Sequence, residues 1–277
     1  MKAEAPVSPR DALELFSRAQ AEATSEDGDP DVYWELISTL HDRDPAEVWA
    51  LVAPLATSAD VRLQQLVPDV LHRLGHEAQP LAMETLSLFA QMLGAAPAPE
   101  LIASIASACV EFHDPQVVKM LVPYAGHPDE VVREGVLHAV RRSSKPEAIN
   151  ALISLSQDSV EDLREWATFA LGSQLPLVDA PEIRTALAAR LTDAHEATRD
   201  EAVIGLGLRG DSRALGPLRA QLERGFSGLA LFEAARALAS PVLKASLQAL
   251  TENPKVMEAL SEEERAELGA ALTACTS

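Results

Sequence analysis

A repeated pattern constrains this chain more than any other feature of its sequence. The stretches VVREGVLHAV, DLREWATFAL and ATRDEAVIGL each place an Arg near their start and an acidic residue directly after it. These residues are Arg133, Arg164 and Arg199, which are 31 and 35 positions apart. Self-similarity at a period of about 20–50 residues is typical of stacked supersecondary units. The repetition therefore predicts an array of similar structural repeats.

Each period divides into two helices. In PEAINALISLSQD the apolar residues Ile149, Leu152 and Ile153 recur at helical spacing, and a second helical stretch, EDLREWATFALGS, follows after a short turn. The first helix of a pair often begins with Pro, as in DPAEVW, DPQVVK, KPEAIN and APEIRT. Proline suits this position because the first turn has no helical partner for its N–H group. Asp44 and Asp114 precede two of these prolines and are candidate N-caps.

Applied to the whole chain, this pattern predicts about eight helix pairs. The predicted pairs are 10–23 with 31–42, 45–57 with 60–74, 77–93 with 99–112, 115–125 with 129–142, 146–156 with 161–172, 181–192 with 196–208, 212–223 with 228–239, and 241–250 with a broken segment ending near 273. Ser8 with Asp11 and Ser261 with Glu264 are capping signals. Small residues in the second helices predict close helix packing; they are Ala139, Ala167, Ala170, Ala202 and Gly205.

The composition agrees with an all-α protein. Hydrophobic residues make up 47% of the 277 residues but aromatic residues only 4%, which favours close-packed helices over sheets. Cys109 and Cys275 are far apart and have no metal-ligand spacing, so we expect free thiols. No apolar stretch is long enough for a signal peptide or a bilayer span, and we expect a cytoplasmic protein. The net charge of -19 disfavours nucleic acids and anionic membranes as partners.

The phrases HPDEVVREGVLHAV, SVEDLREWATFALG and HEATRDEAVIGLGLRGDSRAL resemble HEAT repeats, in particular the short bacterial type known from phycobilisome lyases. The resemblance is best over residues 114–224, with a divergent N-terminal cap at 1–42 and a C-terminal cap at 225–277. It implies one right-handed α-solenoid domain over 1–277, an α–α superhelix of antiparallel helix pairs whose second helices line a concave face. It implies no particular activity.

Enzymes on related scaffolds use residues that this chain lacks. Deoxyhypusine hydroxylase resembles such an array but carries four His-Glu pairs near the repeat Arg. Here the dipeptides His76-Glu77 and His195-Glu196 number two and fall in turns. The alkylpurine DNA glycosylases resemble it too, but they need a basic groove. We therefore expect no catalytic residue, no metal site and no cofactor.

The resemblance also assigns a structural role to the repeat Arg. In HEAT-like repeats it usually reaches the turn Asp or the carbonyl groups of a neighbouring repeat. The sequence supplies an Asp before each Arg, which gives a predicted structural ladder of Asp129 and Arg133, Asp158 and Arg164, and Asp193 and Arg199.

Exposed residues of the second helices are candidates for a binding surface. The predicted acidic row on the concave face is Glu134, Glu165 and Asp200, with Glu161 and Glu196 one turn earlier. It is either a binding stripe or a solvated set of helix starts favoured by the helix dipole. Trp166 is a candidate anchor, since Trp is enriched among binding hot spots, or else a packing residue.

We expect a non-catalytic interaction scaffold that binds another protein on its concave face. One version is an inhibitory or immunity-type partner of a basic protein, because negative charge speeds association with cationic targets. The alternatives are a lyase that attaches a phycobilin-like cofactor and a receptor for a small ligand. The sequence does not define the oligomeric state.

Overall fold

The computed structural model describes residues 12–75, 81–112 and 114–276, and the secondary structure in these ranges is helical. The α-helices are, in chain order, α1 (Ala12–Thr24), α2 (Pro30–Leu40), α3 (Pro45–Val52), α4 (Val61–Leu71), α5 (Ala82–Gly94), α6 (Pro99–Ala108), α7 (Pro115–Leu121), α8 (Glu130–Val140), α9 (Pro146–Leu155), α10 (Glu161–Phe169), α11 (Pro181–Arg190), α12 (Glu196–Leu208), α13 (Leu215–Glu223), α14 (Leu229–Leu238), α15 (Lys244–Thr251), α16 (Pro254–Ala259) and α17 (Glu262–Ala274).

Local sequence signals set the helix starts. Six helices are predicted to begin with Pro, and five of them do so, at Pro45, Pro99, Pro115, Pro146 and Pro181. At Pro241 a 3₁₀ turn, Pro241–Leu243, comes first and α15 begins at Lys244. In two of the five helices the preceding Asp accepts a hydrogen bond from a first-turn amide, as predicted. The second helices begin after short turns, so the chain alternates between the two members of each pair.

Residues 1–140 form the first of two compact units. Its second helices pack on one another in chain order, α4 against α6 and α6 against α8. At the N-terminal end, α1 and α2 pack on each other and both contact α4. Fully buried side chains such as Leu66, Phe89, Ile105 and Leu137 form the core. Ser8 and Asp11, the predicted N-terminal capping pair, lie outside the described residues.

Residues 141–277 form the second unit, which repeats the same scheme. The helices α10, α12, α14 and α17 pack in chain order, while α9 contacts α11 and α13 contacts α15. The predicted break in the last segment is present as α16, and Ser261 and Glu264 form the predicted capping box at the start of α17. The architecture is an α-solenoid of helix pairs, as predicted.

Small residues allow the second helices to approach closely, as their positions predict. A Cβ atom on Gly205 would lie 2.5 Å from the Cα atom of Gly172. A Cβ atom on Gly207 would lie 2.6 Å from the Cβ atom of Ala234. Neither contact could be accommodated without moving a helix backbone. Glycine is therefore needed where α12 meets α14 and where α12 meets the end of residues 161–174. We call these residues, α10 and the turn that follows it, the α10 segment.

The α10 segment departs from the predicted single helix over 161–172. The α-helix ends at Phe169 and a π-helical turn follows over 170–174. The buried guanidinium of Arg209 holds this turn and the loop after it. It donates to the carbonyl oxygens of Leu171, Gly172, Leu175, Val178 and Gly205.

Candidate functional site

The repeat Arg closes the turn between the two helices of its own pair. In all three repeats its Nη1 atom donates to the carbonyl groups five and six residues earlier, at 2.6–3.1 Å. The three sets are Arg133 with His127 and Pro128, Arg164 with Asp158 and Ser159, and Arg199 with Asp193 and Ala194. These bonds fix the entry of the chain into each second helix.

Arg164 also reaches the next repeat. Its Nη2 atom lies 3.1 Å from Oδ1 of Asp193, and its Nε atom lies 3.1 Å from Oδ2 of the same carboxylate. Arg190 donates to Asp193 as well, at 3.1 Å. Burial alone would raise the pKa of Asp193, but the hydrogen bonds from Arg164 and from the His195 amide outweigh it, and the pKa is lowered. The contacts described above for Arg199, by contrast, stay within its own turn.

The three Asp residues of the predicted ladder do not occupy equivalent positions. Asp158 and Asp193 lie six residues before their Arg, and each carboxylate accepts a hydrogen bond from the amide two residues later. In the first repeat that position is held by His127, whose Nδ1 atom accepts from the amide of Asp129 at 3.1 Å. Asp129 lies two residues further on and accepts from the Val131 amide. Asp129 is therefore not equivalent to Asp158 and Asp193, because an imidazole takes the place of the carboxylate in the first repeat.

The predicted acidic row divides between the two units. Glu134 belongs to the first unit and is exposed, with its carboxylate 3.8 Å from the imidazole of His138 one turn later. The other four members belong to the second unit.

Within the second unit, the row is only partly exposed. Glu161 and Glu196 are exposed, and Glu196 pairs with Arg224 at 3.3 Å. Glu165 and Asp200, one turn later, are half-buried. Glu165 lies 3.5 Å from Nδ1 of His195, and Asp200 accepts a 2.6 Å hydrogen bond from the buried Gln221. Asp200 therefore helps to pack α12 against α13.

Trp166 combines exposure with fixed surroundings. Trp166 is 40% exposed. Its ring and that of Phe169 form an edge-to-face pair with their centroids 5.7 Å apart. The guanidinium of Arg141 lies over the indole at 5.7 Å from the ring centroid. Arg141 belongs to the basic run VRRSSK. The indole is thus held by two neighbours while much of it faces solvent.

Glu201 lies on α12 and was not among the predicted site residues. Its carboxylate accepts a 3.0 Å hydrogen bond from the hydroxyl of Ser173. Burial raises the pKa of Glu201 above its usual value, and the negative charges of Glu165 and Asp200 add to the shift. The surface of α10 and α12 thus carries three neighbouring carboxylates, Glu165, Asp200 and Glu201, which we call the acidic triad.

Metal-ligating and nucleophilic side chains are dispersed. Among the described residues, no three His, Cys, Asp or Glu side chains are placed to hold one metal ion. His195 is the N-cap residue of α12, and Cys109 and Cys275 are buried free thiols. His76 and Glu77 lie outside the described residues. In the described ranges, no helix is both long and apolar enough to cross a membrane.

Helix pairs stacked through their second helices define the class of an α-solenoid. Residues 85–172 match the family model for HEAT repeats, so repeats of this kind are present in the chain. The sequence resemblance is best over residues 114–224. The matched region begins before this stretch and overlaps its first half.

The chain is similar to protein YibA of Escherichia coli. The sequences are 29% identical over 170 residues, for strain K12 and for strain O157:H7 alike. The alignment covers 59% of this chain and 60% of YibA, so it spans well under two thirds of that relative. The X-ray structure of E. coli YibA superposes with a TM-score of 0.71 at 19% identity, covering 100% of this chain and 99% of the other. This likeness shows the fold.

Proposed function

We propose that the protein is a non-catalytic scaffold, and that the surface around Trp166 and the acidic triad binds a basic segment of another protein. One observation carries the proposal: an exposed indole is held in position on α10, where the preceding residue, Glu165, belongs to the acidic triad. Its occupant is a peptide segment that offers an apolar side chain to the indole and Lys or Arg side chains to the carboxylates.

The fixed orientation of Trp166 supports a role as an anchor. Phe169 and Arg141 hold the ring from two sides, so binding would immobilise few additional rotamers of this side chain. Trp residues that present a large rigid surface contribute disproportionately to binding energy. Because Trp166 remains 40% exposed, part of the indole is open to a ligand.

Charge complementarity supports a basic partner. The whole chain carries a net charge of -19. Glu165 and Asp200 lie close enough to Glu201 for their negative charges to raise its pKa. A cation placed among these carboxylates would relieve their mutual repulsion, and the net charge would speed the encounter. An inhibitory or immunity-type partner of a basic protein is the finer form of this proposal.

A peptide array tests the proposal directly. It contains equal numbers of basic, acidic and neutral peptides with the same apolar content, and it is probed with the protein labelled at its N-terminus. We expect basic peptides that contain an aromatic or large aliphatic residue to bind, and to bind more weakly at physiological salt than at low salt. Preference for acidic or neutral peptides, or no binding to any, contradicts the proposal.

Two matched variants localise the surface. Trp166→Ala should weaken binding of the selected peptides by about tenfold or more. Trp34→Ala removes another exposed indole, from the first unit, and should leave binding unchanged. Glu165→Gln with Glu201→Gln should weaken binding, while the exposed pair Glu258→Gln with Glu262→Gln controls for net charge. Equal losses in test and control variants would indicate diffuse attraction to an acidic protein.

A further inference from the structure

A cavity of about 310 Å³ lies in the first unit, whereas the Trp166 surface belongs to the second. The end of α1, the start of α2 and one face of α4 line it, and it is open to solvent on one side. Its polar side chains are Glu22, Ser25, Asp29, Tyr33, Arg62, Gln65 and Asp69. Its wall includes Gly28, where a Cβ atom would come within 2.3 Å of the Glu22 carbonyl oxygen, so the turn between α1 and α2 is tight.

The face that α4 contributes is polar. Arg62, Gln65 and Asp69 follow one another at intervals of three and four residues, which places them on one side of a helix. A helix in this position would ordinarily present apolar residues to α1 and α2, which both pack on it. A polar stripe at a contact between helices is unexpected for packing alone.

The long polar side chains of the cavity each donate at least one hydrogen bond to protein atoms. Arg62 donates from Nη1 to the Thr24 carbonyl at 2.9 Å and from Nη2 to Asp60 at 3.3 Å. The amide of Gln65 donates to the hydroxyl of Ser104 at 3.3 Å. The hydroxyl of Tyr33 donates to Oδ2 of Asp69 at 2.6 Å.

The acceptors retain spare capacity. Glu22 accepts from the Asp29 amide and Asp29 accepts from the Asp31 amide, one bond each, although a carboxylate can accept about four. Among the described residues, Tyr33 is the side chain that donates to Asp69. Three carboxylates and one guanidinium therefore leave the cavity with an excess of negative charge and of acceptors.

We infer that this cavity binds an alkylammonium or guanidinium group, placed against Asp69 beside the ring of Tyr33. An ammonium has three donors and no acceptor, which matches a cavity with an excess of acceptors and of negative charge. Tyr33 and Trp34 form an edge-to-face pair with centroids 5.1 Å apart, so Tyr33 offers an apolar surface for the methylene groups of such a ligand. The cation is either a free small amine or a Lys or Arg side chain of another protein.

Isothermal titration calorimetry at low salt and near-neutral pH tests this inference with defined probes. Putrescine and n-butylamine are the cationic probes, and butanediol is a neutral probe of the same length as putrescine. We expect the amines to bind and butanediol to give no measurable heat. Binding of butanediol as tight as that of putrescine, or no binding of either amine, overturns the inference.

Variants assign the binding to the cavity. Asp69→Asn removes the charge but keeps an acceptor for Tyr33, and we expect putrescine affinity to fall by about tenfold or more. Glu35→Gln removes an equal charge from an exposed position on α2 and should leave the affinity unchanged. Equal losses in the two variants overturn the inference. If circular dichroism shows that Asp69→Asn is unfolded, Glu22→Gln serves instead, with an expected loss of about threefold.

The source of the cation is tested with a short blocked peptide that contains one Lys. Tighter binding of this peptide than of n-butylamine identifies a side chain of a partner, and the reverse identifies a free amine. Trp166→Ala should leave putrescine binding unchanged, because the cavity belongs to the other unit. The proposed peptide surface and this cavity can therefore fail independently.

Discussion

The guanidinium of Arg164 lies 3.1 Å from the carboxylate of Asp193, a turn residue of the next helix pair. Both side chains are largely buried, at 15% and 5% exposed. One residue thus closes its own turn through the carbonyl groups of Asp158 and Ser159 and joins two successive repeats.

We predict that Arg164→Met destabilises the protein by about 2–4 kcal/mol, because it leaves the Asp193 carboxylate buried with Arg190 as its remaining cation. Arg199→Met removes the turn bonds to Asp193 and Ala194 and should cost about 1–2 kcal/mol. Urea unfolding followed by circular dichroism measures both. If the two variants lose the same stability, the bond between repeats contributes little.

A second prediction concerns two glycines in neighbouring helices. Gly205→Ala forces a Cβ atom against the backbone of Gly172, and we expect a loss of about 2–4 kcal/mol in unfolding free energy. A Cβ atom on Gly269 in α17 would meet no described atom within 4 Å beyond its own stretch of helix, so Gly269→Ala should stabilise by about 0.5–1 kcal/mol. Urea unfolding of both variants tests this, and a neutral Gly205→Ala would mean that the two helices separate readily.

The loop after the α10 segment provides a third prediction. Arg209 is 8% exposed and its bonds hold a loop in which Leu177 is 96% exposed. Arg209→Lys cannot reach all of these carbonyl groups, so we expect a loss of about 2–4 kcal/mol and faster chymotryptic cleavage at Leu177. Arg219→Lys, at an exposed ion pair with Glu223, is the control and should change neither. Unchanged cleavage in Arg209→Lys would show that the loop is held by other contacts.

The fold could be predicted from the sequence because its signals are local. Helix starts follow from prolines and capping residues, as at Pro45 and Ser261, and the pairing follows from the repeat period. Close helix crossings could be anticipated from small residues such as Gly205. None of these inferences needs a contact between distant residues.

The site residues were harder to predict because their roles depend on long-range contacts. Arg209 has no local signature that separates it from an exposed arginine, yet it donates to carbonyl groups more than 30 residues earlier. Tyr33 and Asp69 are 36 residues apart in sequence. The predicted acidic row treated Asp200 as a surface residue, whereas its hydrogen bond to Gln221 depends on how α12 packs on α13.

The last prediction concerns Asp69 and His41, two residues of the first unit whose pKa values are shifted in opposite directions. Burial raises the pKa of Asp69 from 3.8 to about 6, against the opposing effect of the Tyr33 hydrogen bond. Burial, followed by the charges of His72 and Arg73, lowers the pKa of His41 from 6.5 to about 4. Arg62 is a further charged group near Asp69, on the same face of α4.

Between about pH 4 and pH 6 these two groups should act on stability in opposite directions. Folded Asp69 keeps a proton that the unfolded chain has lost, so its contribution falls as pH rises, by at most about 3 kcal/mol. The unfolded chain protonates His41 while the folded protein does not, so that contribution rises with pH. The unfolding free energy of Asp69→Asn should therefore rise more steeply with pH than that of the native protein. The unfolding free energy of His41→Gln should rise less steeply. Urea unfolding across this range measures the three slopes, and parallel slopes would mean that neither group titrates differently on folding.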